Sequence, residues 1–134
     1  ILFDAQDVFP GDTDKVSFQN YKLNERAKAT KACNVIIYDS PNDIPLTNKQ
    51  RFRAFSEDLD KVCLTQHQVK VFCEKYKHFL NPLGEVTRFL VRKGKNDYYV
   101  VYVYTTDDMC VNVTHLEYDD KHPSIKNVRI VVPF

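Results

Sequence analysis

The chain of 134 residues has no tryptophan, only three glycines and no long apolar run. A phosphate-binding loop needs several closely spaced glycines, and Gly11, Gly84 and Gly94 are too far apart to form one. The longest apolar run, Tyr98 to Tyr104, is as long as a strand, whereas a membrane helix needs about 18 residues. A Gly-x-Ser-x-Gly turn is also absent. The sequence therefore predicts no membrane span, no nucleotide-dependent enzyme and no serine hydrolase of that type.

The chain also lacks an excess of either charge, since 19 basic and 18 acidic residues leave a formal net charge of +1. Nucleic-acid binding draws much of its affinity from clustered phosphate contacts, so we expect no nucleic-acid partner. Apolar residues make up 43% of the chain, which is typical of a folded globular protein. We predict a single α+β domain over residues 1–134, with an irregular N-terminal arm at 1–15.

Two helix starts are present, because Leu-Thr-x-x-Gln occurs at 46–50 and again at 64–68. A threonine N-cap and a glutamine three residues later can form a capping box. The apolar spacing that follows predicts helices over 48–62 and 66–80.

Strand patterns lie on both sides of these helices. Residues 33–38 are rich in β-branched side chains, and after residue 84 the apolar period changes from 3.6 to 2. Four strands with short connections follow, which favours a meander. The predicted fold is α+β, with a helical hairpin packed on a C-terminal four-stranded antiparallel meander. This order of elements is compatible with a cystatin-like or NTF2-like architecture.

The predicted helix at 66–80 carries one cysteine and two histidines. On a helical wheel Cys73 lies within the apolar stripe of Val69 and Phe72, and that stripe continues to Tyr76, Phe79 and Leu80. His67 and His78 lie on the opposite face and are eleven residues apart, about 16 Å along a helix. The helix is therefore predicted to face a core and not to form a metal site.

Four cysteines, Cys33, Cys63, Cys73 and Cys110, are candidates for disulfides, and all three possible pairings stay open. Asn112 begins the Asn-Val-Thr sequon. The chain begins at Ile1 and not at methionine. Together these features predict an extracellular or exported glycoprotein, with a cytoplasmic location as the alternative.

Metal and cofactor sites are not expected. The cysteines are separated by 30, 10 and 37 positions, unlike the close pairs of structural zinc sites. The acidic stretch 118–123 has no calcium-loop spacing and is predicted to be a solvated turn between strands.

Five tyrosines lie in the region of the predicted sheet, and tyrosine is enriched at protein interfaces. The first hypothesis is a non-enzymatic domain that binds a protein partner through a tyrosine-rich sheet face or the meander loops. Its candidate binding residues are Tyr98, Tyr99, Tyr102, Tyr104 and Tyr118.

Two alternatives remain. The alternation of a strand would place His115 and Glu117 on one face, and with Arg88 or Arg92 nearby they could form the acid–base pair of a small hydrolase or ribonuclease. The other alternative is an intracellular inhibitor or adaptor of pathogen or viral origin, with four buried thiols. The sequence leaves open the oligomeric state and the presence of a ligand pocket.

Overall fold

The computed structural model describes residues 33–40, 43–82, 85–105, 109–123 and 127–134. The predicted arm at 1–15 lies outside these residues. The described elements, in chain order, are β1 (Val35–Ser40), α1 (Asn48–Arg53), a 3-10 helix (Leu59–Val62), α2 (Gln66–Lys75), a 3-10 helix (Lys77–Phe79), β2 (Val86–Gly94), β3 (Asp97–Thr105), β4 (Met109–His115), a 3-10 helix (Leu116–Asp119) and β5 (Val128–Pro133).

The five strands form one mixed sheet in the order β1-β5-β2-β3-β4. β2, β3 and β4 are the predicted antiparallel meander, and β1 is antiparallel to β5. β5 does not continue the meander; it runs parallel to β2, on the side away from β3. The α+β class is confirmed, but the prediction of four antiparallel strands is wrong. The alternating apolar pattern identifies β5 as a strand, but it does not indicate which strand lies beside it.

The two α-helices lie on opposite faces of the sheet, so the prediction of a helical hairpin on one face is also wrong. α2 packs in a cluster with Phe89, Tyr99 and Val131. α1 and the 3-10 helix at 59–62 pack in a second cluster on the other face. The members of this second cluster include Phe52, Leu59, Val62, Leu90, Val100, Ile130 and Val132.

The chain passes from one face to the other beside the middle of β2. β5 pairs with β2 only as far as Val131 and Phe89. One residue further, the N–H of Leu64 donates to the carbonyl oxygen of Leu90 over 2.9 Å. Leu64 therefore satisfies a backbone acceptor of β2 that β5 no longer reaches. Because the chain crosses the sheet at Leu64, α1 and α2 lie on opposite faces.

β3 is buried on both faces, one of the two arrangements compatible with its run of apolar residues. Tyr98 and Val100 pack in the cluster beneath α1, whereas Tyr99 and Val101 pack in the cluster beneath α2. An interior strand covered on both faces reads as a continuous apolar run and not as an alternation.

Both predicted capping boxes are confirmed. At α1 the Thr47 side chain accepts from the Gln50 N–H over 3.1 Å, and the Gln50 side chain accepts from the Thr47 N–H over 2.9 Å. Thr65 and Gln68 form the same reciprocal pair at the start of α2. Local sequence thus determines where both helices begin.

Both helices end earlier than predicted. After α1, the Ser56 hydroxyl accepts from the Asp58 N–H, and the Asp58 carboxylate accepts from the Asp60 N–H. These local bonds compete with helical ones, so residues 59–62 form only a 3-10 turn. α2 ends at Lys75, and therefore the helical wheel does not apply to Tyr76 and Phe79.

Candidate functional site: an open strand edge beside an apolar groove

A buried polar network on the α1 face was missed by sequence reasoning. Asp119, only 8% exposed, accepts from the backbone N–H of Asn48 with both carboxylate oxygens at 3.0 Å. The Asn48 side chain accepts from Arg88 over 2.6 Å and donates to the Tyr102 hydroxyl over 2.7 Å. The prediction of a solvated turn at 118–123 is therefore wrong for Asp119, because its carboxylate anchors α1 to the sheet.

The charges of this network sit in a poorly solvated environment. Burial raises the pKa of Asp119, although the Asn48 N–H and the Arg88 charge oppose that rise. Burial and the charge of Arg88 lower the pKa of a second buried arginine, Arg51, which donates to the Ser40 hydroxyl at the end of β1. Because these groups bond mainly to one another, we assign the network a structural role.

The five predicted binding tyrosines do not share one exposed face. Tyr98 and Tyr99 are buried on opposite faces of the sheet. Tyr102 belongs to the polar network, and Tyr104 is half-buried. Tyr118 is exposed but lies in the 3-10 helix that follows β4. That these residues bind a partner stays a prediction.

His115 and Glu117 are not placed as the hydrolase hypothesis expects. β4 ends at His115, so the strand alternation does not reach Glu117. The imidazole of His115 lies 5.0 Å from the ring of Tyr99, whereas the Glu117 carboxylate lies 3.8 Å from Lys49 Nζ at α1. Arg88 is bound within the polar network.

Within the described residues Cys33, Cys63 and Cys73 are free thiols. Burial raises the pKa of Cys73 to about 12. Burial also raises the pKa of Cys63, so neither thiol ionises readily at neutral pH. The side chain of Cys110 lies outside the described residues. Asn112 lies half-buried in β4 opposite Tyr102; its glycosylation stays a prediction.

In the described ranges no three metal-binding side chains come together. None of the helices described there is long and apolar enough to cross a membrane.

An apolar groove of about 460 Å³ lies between β1 and α2. Leu64 and Phe72, both buried, belong to its lining. Its outer walls are more exposed: Ile37 of β1 is 36% exposed, Tyr76 is 48% exposed and Phe79 is 44% exposed. The sequence predicted the last two inside the core stripe, but they follow the end of α2. The same early end of α2 therefore creates this groove wall.

Polar contacts hold the groove wall at the end of α2 against the sheet. Arg129 of β5 donates to both carboxylate oxygens of Asp39, over 2.8 and 3.1 Å, and to the carbonyl oxygen of Phe79 over 3.1 Å. The hydrogen bond from Arg129 lowers the pKa of Asp39. These bonds link β1, β5 and the 3-10 helix at 77–79, so the groove is preformed.

The outer edge of β1 is open among the described strands, because β1 is at one end of the sheet. The N–H of Phe134 donates to the carbonyl oxygen of Asn34 over 2.8 Å, one pair beyond Val35 and Pro133 in the ladder. Hydrogen-bonded and non-bonded pairs alternate in antiparallel sheets. The N–H and C=O groups of Val35, Ile37 and Asp39 therefore point away from β5. Two of these residues, Val35 and Ile37, also line the groove.

Comparison of the chain with protein-family models, curated proteins and solved structures finds no match in any of the three. The cystatin-like or NTF2-like architecture is therefore not supported by a structural neighbour. In the part of the chain that the structure describes, the candidate site combines the outward backbone groups of β1 with the adjacent apolar groove.

Proposed function

We propose that this protein is a protein-binding domain that adds an extended segment of its partner to the open edge of β1. The observation that carries the proposal is the position of the outward backbone groups of Val35 and Ile37, directly beside the apolar groove. In strand addition, main-chain hydrogen bonds provide affinity and pockets for alternate side chains provide specificity. β1 and the groove together offer both.

The composition of β1 supports this proposal. Edge strands are commonly protected by prolines, lysines or inward-pointing charges, but residues 35–38 are Val-Ile-Ile-Tyr. Ile36 and Ile37 on opposite faces are both 36% exposed, and Tyr38 contacts solvent beside Phe55, with ring centroids 5.4 Å apart. β1 therefore exposes apolar side chains along an edge whose residues 35–38 include none of these protections, and such an edge is a template for pairing with another chain.

The groove determines which side chains of the partner are bound. Successive side chains of an added strand point to opposite faces, so every second one would enter the groove between β1 and α2. The groove volume of about 460 Å³ lies within the range of about 300–1,000 Å³ found for ligand sites. We therefore expect apolar side chains at those alternate positions.

The test is a selection from random peptides of about twelve residues displayed on phage, a length that exceeds the six residues of β1. Enriched peptides are synthesised, and their affinities are measured by fluorescence anisotropy with two variants at one position. Ile37→Ala shortens the groove-facing side chain and keeps the outward N–H. Ile37→Pro shortens it as well and removes that N–H. Proline is tolerated at an edge where no ladder bond is lost.

Binding should weaken several-fold in Ile37→Ala and about tenfold more in Ile37→Pro, because one hydrogen bond contributes about 0.5–1.5 kcal/mol. Thermal unfolding of both variants verifies that the sheet is intact. Equal affinity of the two variants, or no enriched peptide, would contradict strand addition at β1.

The extracellular or exported location is a separate proposal, supported by the sequon at Asn112 and the even cysteine count. Intact mass of the protein from its native source, with and without reduction before alkylation, tests it. A glycan supports export, whereas four free thiols without a glycan contradict it.

A further inference from the structure

The lining of the groove is asymmetric in charge. Among the described residues that line it, Lys75 is the one lysine, and none is acidic or an arginine. Lys75 is exposed in the last turn of α2 and makes no ion pair among the described residues. Lys70 on the same helix is different, because its Nζ lies 3.9 Å from the carboxylate of Glu74.

Two described acidic residues on the elements that form the groove, β1 and α2, have cationic partners. Asp39 of β1 is held by two hydrogen bonds from Arg129, and Glu74 pairs with Lys70. A segment that adds to β1 therefore meets mostly apolar side chains, a few polar ones and the positive charge of Lys75, which has no acidic partner among the described residues.

We infer that the partner segment carries at least one carboxylate beside the apolar side chains that enter the groove. This inference rests on the proposed strand addition at β1. The carboxylate pairs with Lys75, while the backbone of the segment pairs with Val35 and Ile37. A lipid or a nucleic acid could provide a negative charge for Lys75. Neither has a peptide backbone, so neither could pair with the outward N–H and C=O groups of β1.

The experiment uses the peptides enriched on the wild-type protein. Each acidic peptide is compared with a copy in which Asp and Glu are replaced by Asn and Gln, which keeps shape and removes charge. Affinities are measured by fluorescence anisotropy at about 50 mM and about 500 mM salt, because added salt shortens the Debye length and weakens exposed ion pairs. The protein variants are Lys75→Glu and, as a matched control of equal charge change, Lys61→Glu. Lys61 is exposed in the 3-10 helix at 59–62, whose residues pack on the α1 face.

Enriched peptides should contain more acidic than basic residues, and their amide copies should bind about 2- to 5-fold more weakly at low salt, as expected for one exposed ion pair. The difference should disappear at high salt and should vanish or reverse in Lys75→Glu, where the new carboxylate repels the acidic peptide, but it should persist in Lys61→Glu.

Binding that depends on the Ile37 amide but not on peptide charge or on Lys75 overturns this inference and leaves strand addition in place. Loss of the charge effect in Lys61→Glu to the same extent as in Lys75→Glu also overturns it, since the effect then reflects net charge alone. Absence of any enriched peptide overturns both proposals.

Discussion

Replacement of Arg88 by methionine should destabilise the protein by about 3–5 kcal/mol at neutral pH, the range observed when one member of a buried ion pair is removed. Arg88 is 5% exposed. Its guanidinium donates to Asn48 over 2.6 Å, lies 3.8 Å from the carboxylate of Asp119, and stacks 4.5 Å from the centre of the Tyr102 ring. Methionine keeps the apolar stem but leaves the Asp119 charge buried without its cation.

The magnitude follows from two of these contacts. At 3.8 Å the attraction between unit charges is about 4 kcal/mol at an effective dielectric constant of about 20. A hydrogen bond to a charged group contributes about 1.5–3 kcal/mol. The methionine variant has no guanidinium to desolvate on folding, and this saving offsets part of both contributions. The net loss should therefore be smaller than their sum and within the stated range.

The loss should depend on pH, with a sign set by Asp119. In the wild type burial raises the pKa of Asp119, and the Arg88 charge counteracts part of that rise. Without Arg88 the pKa rises further, and a carboxyl group with a raised pKa in the folded state favours folding only when protonated. Stability of the variant relative to the wild type should therefore increase as the pH falls from 7 towards about 5.

Because the chain has no tryptophan, urea unfolding is followed by far-ultraviolet circular dichroism. Arg92→Met is the matched control: Arg92 is on the same strand and face, but its guanidinium lies 3.6 Å from Asp60 in a half-exposed pair. Its removal should cost no more than about 1 kcal/mol. A loss below about 1 kcal/mol for Arg88→Met at pH 7, or one that grows in acid, would refute the argument.

Two further predictions concern the helix caps and the thiols. Thr65→Ala should lower the free energy of unfolding by about 1 kcal/mol. The loss should exceed that of Thr47→Ala, because Thr65 is fully buried and Thr47 is half-buried. Equal losses in urea unfolding would contradict this order. Iodoacetamide should modify the exposed Cys33 first, and Cys63 and Cys73 only in urea, because both are buried and burial raises the pKa of each. Peptide mass mapping over time tests this, and early labelling of Cys73 in the native protein would contradict it.

The features that sequence predicted correctly depend on neighbours in the chain. Each capping box lies within four consecutive residues, from Thr47 to Gln50 and from Thr65 to Gln68. The run of apolar side chains in β3 is compatible with burial on both faces, although the sequence alone leaves one face available for contact. Short connections also favour antiparallel pairs, and the meander of β2, β3 and β4 agrees with that rule.

The features that sequence missed depend on partners far along the chain. Asp119 stands in a polar stretch typical of a solvated turn, and its partner Asn48 is 71 positions away. β5 packs on both faces of the sheet, and its sequence does not indicate that its neighbours are β1 and β2. The candidate site was missed for a similar reason, since Ile37 and Phe79 form one groove only after Arg129 has joined their segments.

The position of β5 has a consequence for biosynthesis. β5 is the one neighbour of β1 among the described strands, yet β1 is made long before residues 128–133. A nascent chain that has reached β4 can pair β2, β3 and β4, but among the described strands it lacks the one that pairs with β1. Contacts between distant segments form late and slowly, and exposed apolar segments are prone to aggregation in the meantime. The proposed binding edge should therefore form only when β5 has left the ribosome, and we expect a chain without β5 not to bind the partner.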